Sequence, residues 1–291
     1  MKEHTMLDSI RSLLGVPARA IPLSVCGIGR SYLLDRTDIP LTGTVILFAI
    51  PYVMTEDVTD SRRNLSLYAV PRDYHLYIRE LETTLLPYLR GFYPHNRFAL
   101  FSDHSPIREV DAAARAGLGT VGMHGLLITP EYGSFVFIGE ILTDMSYENV
   151  TGETAPVFPS EPPTCRACGL CQKACPMDCP TEDKSRCLSA LSQKKGELTS
   201  GEREALLRGG LAWGCDACQL ACPYNLRVLR DGIDTPISFF RRSRMPRIDT
   251  DMLNAMTEED FAARAYSWRG RAVITRNLQL LEDADNERRT P

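Results

Sequence analysis

The chain has 291 residues, 44% of them hydrophobic and 24% charged, a composition that excludes a disordered or fibrous protein and suffices for one large or two modest cores. A formal net charge of -4 gives no overall attraction to nucleic acid or to an anionic membrane, so a polyanionic partner would have to meet a local basic patch. The longest apolar runs, such as VILFAIPYV at 45–53, fall short of the roughly 20 residues that span a bilayer.

The N-terminal MKEHTMLDSIRSLLGVPARA mixes acids and polar residues with its Leu and Ile. It lacks the continuous apolar core of a secretory signal and reads as a surface helix of a soluble cytoplasmic protein. GTVILFAIPY (43–52) and RFALFSD (97–103) read as buried strands. Between them Tyr74, Tyr77, Ile78, Leu81, Leu85, Tyr88 and Leu89 recur at three- and four-residue intervals, the apolar face of a helix. SPIREVDAAARAG then predicts a second helix, with Ser105 as N-cap, Pro106 at its first position and Gly117 as its stop. LLITPEYGSFVFIGEILT (126–143) predicts a hairpin turning over Pro130 to Ser134. The Pro-, Thr- and Ser-rich stretch 148–164 predicts a linker. Beyond 226 the sequence turns helical and arginine-rich, with six arginines against two aspartates over 226–247, either a phosphate-binding face or a solvated surface.

Ten cysteines without an export signal argue for metal ligation rather than disulfides, because cytosolic thiols stay reduced. Nine of them fall between 165 and 222. CRACGLCQKACP (165–176) has the spacing C-x2-C-x2-C-x3-C-P, and CDACQLACPYN (215–225) supplies the last three positions of a second such set. In two-cluster ferredoxins the fourth cysteine ligates the neighbouring cube. Cys187, in DKSRCLSAL, is then the candidate for the missing first position. One 4Fe-4S cluster takes Cys165, Cys168, Cys171 and Cys222; the other takes Cys175, Cys187, Cys215 and Cys218. Between Cys187 and Cys215, Thr199 and Glu202 form a capping-box pattern that opens a short helix. Zinc is the competing reading, but zinc knuckles usually lack the third cysteine and the C-P ending. Cys26 and Cys179 are left over and read as small buried hydrophobes.

GLGTVG (117–122) matches the dinucleotide fingerprint, yet it follows a helix and enters a strand, the reverse of the order such a site needs. Asp103 ends a strand before a helix and reads locally as a capping residue. His75, His104 and His124 are isolated candidates for metal or cobalt ligands. Two adjacent clusters imply one-electron relay. Most of the chain lies outside the insert, so the electrons are expected to reach a site built by the N-terminal domain.

Taken together, DYH (73–75), DHSPIRE (103–109), AGLGTVG (116–122), GSFVFIGEILTD (133–144), the ferredoxin motif, SRCLSAL and GCDACQLACPYN resemble the epoxyqueuosine reductase family over most of residues 40–226. MTEEDFAARA and ITRN resemble the start of that family's C-terminal helical region. The resemblance implies an α+β fold: a nitroreductase-like cobalamin and substrate domain (1–155), a double 4Fe-4S bacterial-ferredoxin-like domain (156–228) and a helical C-terminal segment (229–291). It implies two clusters passing electrons to cobalamin, which removes the epoxide oxygen of a queuosine precursor in tRNA, with a small ferredoxin or flavodoxin as donor and no membrane partner. Asp103 takes the place of the family's proton donor, and Tyr68, Asp103, Gly122, Met123 and Ser134 are the implied cobalamin contacts. This chain has Gly122-Met123-His124-Gly125 where the family typically has G-K-N-T, and YAVPRDYH for YARGRDYH. It ends soon after ITRNLQLL, so a short form without the helical-repeat domain is expected. Another corrinoid-linked small-molecule substrate and a non-catalytic electron carrier are the alternative readings.

Overall fold

The computed structural model describes residues 4–179 and 184–289. The first three residues of the expected N-terminal helix, residues 180–183 after CPMDC and the last two of the charged tail lie outside that range. The chain divides into two compact units that are discontinuous in sequence. One comprises 1–51, 74–122 and 126–167; the other comprises 52–73, 123–125 and 168–291.

The strands of the first unit are β1 (Ala18–Pro22), β2 (Thr44–Pro51), β3 (Phe98–Phe101), β4 (Thr120–Val121), β5 (Leu127–Ile128) and β6 (Val136–Thr143). A four-stranded sheet runs in the order β1-β2-β6-β3 with every neighbouring pair antiparallel, while β4 and β5 pair separately. All eight residues of β2 are buried, as an apolar run without alternation requires of a strand covered on both faces. Phe48 of β2 lies opposite Gly139 of β6, and a Cβ on Gly139 would come within 2.1 Å of the Phe48 ring. Gly139→Ala is therefore expected to cost about 1–3 kcal/mol through overpacking, visible as a lower melting temperature.

Three helices brace this sheet. Helix α1 (Met6–Leu14) opens on a capping box of Thr5 and Asp8 and buries Met6, Leu7 and Ile10. Helix α2 (Tyr74–Phe92) packs on β3 and buries Tyr77, Ile78, Leu81, Leu85 and Leu89, as the periodicity predicts, with Leu86 joining them. Tyr88 departs from that face: it is exposed and meets Phe92 instead. Helix α3 (Glu109–Arg115) buries three successive alanines, Ala112 to Ala114, in a cluster with Val45, Leu47, Ile138 and Leu142. Small side chains let its axis approach the sheet closely. Its end is a Schellman motif around Gly117 at φ +81°, with Gly117 N–H donating to Ala114 O and Leu118 N–H to Ala113 O.

Several local expectations are corrected. Ser105 does not cap α3, whose N-cap is Arg108. The Ser105 hydroxyl instead donates to Glu140 and accepts from the Ile107 amide, because a buried carboxyl is the more demanding partner. Residues 126–143 are not a hairpin of paired strands. The turn exists, with Thr129 and Gly133 exchanging backbone hydrogen bonds, but β5 pairs with β4 and β6 with β2 and β3. The linker begins as a short helix, Tyr147–Thr151. Its far end runs beside β4, where Val121 N–H donates to Pro163 O and Cys165 N–H donates to Val121 O.

The second unit contains α4 (Leu170–Lys173), α5 (Leu188–Ser192), α6 (Ser200–Gly209), α7 (Ala217–Leu220), α8 (Pro223–Arg230), α9 (Thr250–Ala255), α10 (Glu258–Ala262) and α11 (Arg271–Arg289). The capping box of Thr199 and Glu202 opens α6 as predicted. Trp213 and Tyr266, both fully buried, meet edge to face at 6.2 Å within a core that includes Ile248, Leu253, Phe261 and Ile274. Asn277 of α11 donates to the carbonyls of Ser192 and Ala212, tying the C-terminal helix to the cysteine-bearing segment. The arginine-rich run is largely engaged within the unit. Arg244 pairs with buried Asp57, Arg227 and Arg230 both pair with Asp231, and Arg241 and Arg242 donate to main-chain carbonyls. Among the described residues no helix is long and apolar enough to cross a membrane.

Candidate functional site

The cysteines of the second unit are placed by short helices and tight turns. Cys171 sits in α4, entered through Gly169 in the left-handed region, and is buried. α4 packs against α7, which carries Cys218. Cys187 and Cys222 occupy the N-cap positions of α5 and α8, the latter with Pro223 immediately inside the helix. The Cys179 amide donates to the Cys175 sulfur at 3.4 Å, an N–H···S contact that stabilises a thiolate.

Cys215 lies within electrostatic reach of Cys175, Cys187 and Cys218, and Cys218 also feels Cys187 and Cys171; Cys171, Cys175, Cys187 and Cys218 line one small cavity. Burial pushes the Cys215 thiol up to about 11, and Asp216, Cys187 and Cys175 add to the rise. Burial likewise pushes Cys218 up to about 12, with Cys215 and Cys187 repelling its thiolate and Lys184 partly offsetting them. Thiolates that crowd and repel in this way require a strongly cationic group among them, and binding that group releases their protons. Among the described residues no three His, Cys, Asp or Glu side chains close to the spacing of a single metal ion. Four thiols supplied by C-x2-C spacings and a C-P ending are the donor set of a 4Fe-4S cluster rather than of a zinc knuckle. Of the other predicted set, Cys168 is exposed while Cys171 and Cys222 are buried in the second unit; Cys165 is half-buried at the end of the first.

Asp216, flanked by Cys215 and Cys218, is fully buried. Its carboxylate accepts from Arg63 at 2.6 Å and from the Leu67 amide. Burial raises its pKa and the Arg63 guanidinium opposes that rise. Asp216→Ala strands the Arg63 charge, so a loss of about 3–5 kcal/mol is expected, measurable by chemical denaturation under anaerobic conditions.

In the first unit Asp103 follows β3 on the loop to α3, exposed, with φ +61°. It does not cap α3. Its amide donates to Glu109 Oε2 at 3.0 Å, and Arg30 reaches the carbonyls of both Asp103 and Ser105. Asp103, Arg30, Arg108 and Glu109 line an open cavity of about 570 Å³. Beneath it lies Glu140 of β6, with no exposed surface. Its Oε2 accepts from Ser105 at 2.5 Å, and its carboxyl meets that of Glu109. Burial raises Glu109 and raises Glu140 further, and the two carboxyls act on each other. Sequence reasoning missed both glutamates. The available signal was a lone acid inside the otherwise apolar strand VFIGEILT.

The remaining predicted residues are dispersed. Ser134 and Gly122 are buried in the first unit; Tyr68 and Met123 belong to the second, where burial raises the Tyr68 phenol. His75 lies against Tyr74, and His104 bonds the Tyr32 hydroxyl at 2.9 Å. Burial, aided by Lys184, lowers His124 to about 4, keeping it neutral near pH 7. The Lys184 ammonium donates to its carbonyl. The glycine-rich 117–122 segment joins α3 to β4, the helix-to-strand order that a dinucleotide site does not have.

Residues 164–225 match the family model described as a 4Fe-4S double cluster binding domain. The chain is 35% identical over 218 residues to an epoxyqueuosine reductase of Listeria monocytogenes, covering 72% of this chain and 54% of that protein. It is 31% identical over 233 residues to one of Gloeobacter violaceus, covering 77% of this chain and 69% of the relative. The chain thus spans about half the length of the Listeria protein and over two thirds of the Gloeobacter one. In fold it is similar to an epoxyqueuosine reductase solved with an epoxyqueuosine-modified tRNA-Tyr stem loop, with a TM-score of 0.70 and 23% identity over 94% of this chain and 79% of that one.

Proposed function

Because the chain belongs to the epoxyqueuosine reductase family, we propose that it is a cobalamin- and iron-sulfur-dependent reductase that converts epoxyqueuosine to queuosine in tRNA. The observation that carries this reading is the identity shared with a family member over more than two thirds of that member's length. The convergence of Cys175, Cys187, Cys215 and Cys218 supports the redox half of it. The stem loop bound by the structural relative supports tRNA as the substrate class.

Removing an epoxide oxygen as water takes two electrons and two protons. When bound, the clusters and cobalamin supply the electrons one at a time at low potential. A corrin brings its own equatorial nitrogens, so the protein owes it a wall and a proton donor rather than a ligand set. Asp103, exposed on an open cavity, fits the donor role. Gly122 and Ser134, buried in the same unit as Asp103, would be further residues of that wall. An alkoxide is a poor leaving group unless it is protonated as it forms, and a carboxylic acid covered by substrate and an apolar wall becomes a competent donor. Arg30 and Glu109 keep the Asp103 backbone in place. A small cytoplasmic ferredoxin or flavodoxin delivers the electrons.

Anaerobic reconstitution with iron, sulfide and cobalamin, followed by assay on tRNA bearing the epoxide, tests the reading. Queuosine formation that depends on cobalamin supports it. Retention of both clusters without cobalamin binding would instead identify an electron carrier, and cobalamin binding without turnover of tRNA would point to a small-molecule substrate.

A further inference from the structure

We propose that Glu109 and Glu140 share a single proton and form a positioning pair for Asp103: while the pair is protonated, Glu109 holds the Asp103 amide and fixes the loop in its left-handed conformation. This inference rests on Asp103 being the proton donor of the proposed reaction.

The geometry is specific. Glu140 stands in the middle of the sheet, paired with Leu47 on one side and Phe101 on the other, neither of which offers a side-chain donor. Ser105 satisfies Oε2, but among the described residues no N–H or O–H donor reaches Oε1. The group that meets this carboxyl is the carboxyl of Glu109, itself an acceptor. Two carboxylates face to face in a buried setting cannot both be ionised, and one proton between them converts repulsion into a hydrogen bond. With that proton in place Glu109 keeps Oε2 for the Asp103 amide at 3.0 Å.

The loop needs such a hold. Asp103 has φ +61°, a conformation that costs a non-glycine residue energy unless its surroundings impose it. Arg30 grips the same loop from the other side through the carbonyls of Asp103 and Ser105. The titratable and charged groups around the pair are Arg30 on the 26–30 loop, Asp103 and Arg108 on the loop before α3, Asp111 on α3, and the buried Cys26 thiol, which feels the Glu140 charge. His104 is turned to Tyr32. Of these, Arg30 favours ionisation of Glu109 while Asp103 opposes it, and burial outweighs both. Losing the shared proton at alkaline pH leaves two like charges in contact, and Glu109, at the edge of the cavity, is the one free to withdraw. Asp103 then loses its anchor.

Two measurements on the reconstituted holo-protein test this. In infrared pH-difference spectra with 13C-labelled glutamate, the wild type is expected to show a protonated carboxyl persisting above the ordinary carboxylate range, and Glu140→Gln to lack it. In single-turnover pH profiles on epoxide-bearing tRNA, the wild-type alkaline limb is expected to coincide with loss of that band. Glu140→Gln, whose amide donates to Glu109 without titrating, is expected to have no such limb, whereas Glu109→Ala loses about 10²-fold in rate, the scale set by misplacing a catalytic group. Absence of the protonated-carboxyl signal, or an identical alkaline limb in Glu140→Gln, overturns the proposal. A persisting signal, lost in Glu140→Gln, in protein that turns over no tRNA would overturn the assigned substrate while supporting the shared proton.

Discussion

Cys187→Ala is expected to halve the iron and acid-labile sulfide retained by anaerobically purified protein, leaving one four-iron cube of the two. Cys187 lies 12 residues after Cys175 and 28 before Cys215, outside both motifs, yet Cys215 and Cys218 both feel its charge, and Cys215 also feels Cys175. Removing one of four thiolates leaves a cube with an open iron corner that solvent and oxygen can attack. The remaining three thiols stay half-buried, and without the cube Cys215 and Cys218 revert to neutral S–H because burial pushes them up to about 11 and about 12. Cys26→Ala is the matched control. That thiol is buried in the first unit, donates to the Pro22 carbonyl and is pushed up to about 12 by burial, so the iron content should not change. Iron and sulfide analysis with electron paramagnetic resonance of the reduced protein decides the matter. Full iron retention in Cys187→Ala would remove this residue from the ligand set.

Asp103→Asn is expected to keep both clusters and cobalamin but to lose about 10²–10⁴-fold in single-turnover rate, the range contributed by a positioned general acid. Asparagine is the informative replacement because it tolerates the left-handed backbone that Asp103 adopts at φ +61°, so the loop and its bond to Glu109 survive while the proton does not. Alanine would confound loss of the acid with loss of the loop. The two cavity arginines, Arg30 and Arg108, remain in the variant, so binding of a polyanionic substrate should be little changed. The loss should therefore appear in the rate of the chemical step rather than in the apparent affinity. An unchanged single-turnover rate would assign the proton to another group.

Much of this protein was legible before folding. The cysteine spacings and the C-P endings announced the clusters because a cube imposes its own geometry on a short stretch of chain. The buried strand 44–51, the apolar face of 74–92, the Thr199 capping box and the Gly117 stop were equally legible, since each depends on residues a few positions apart. What tertiary structure decided is everything that needs a distant partner. Ser105 left its predicted cap for Glu140, thirty-five residues away, because an unsatisfied buried carboxyl costs more than an uncapped helix start. Arg244 of the arginine-rich run found buried Asp57, far back in the chain, while Arg230, Arg241 and Arg242 stayed exposed, and β5 and β6 joined different sheets. The meeting of Glu109 with Glu140 behind Asp103 belongs to the same class: no local pattern encodes it, because burial and like-charge proximity arise when separate segments pack.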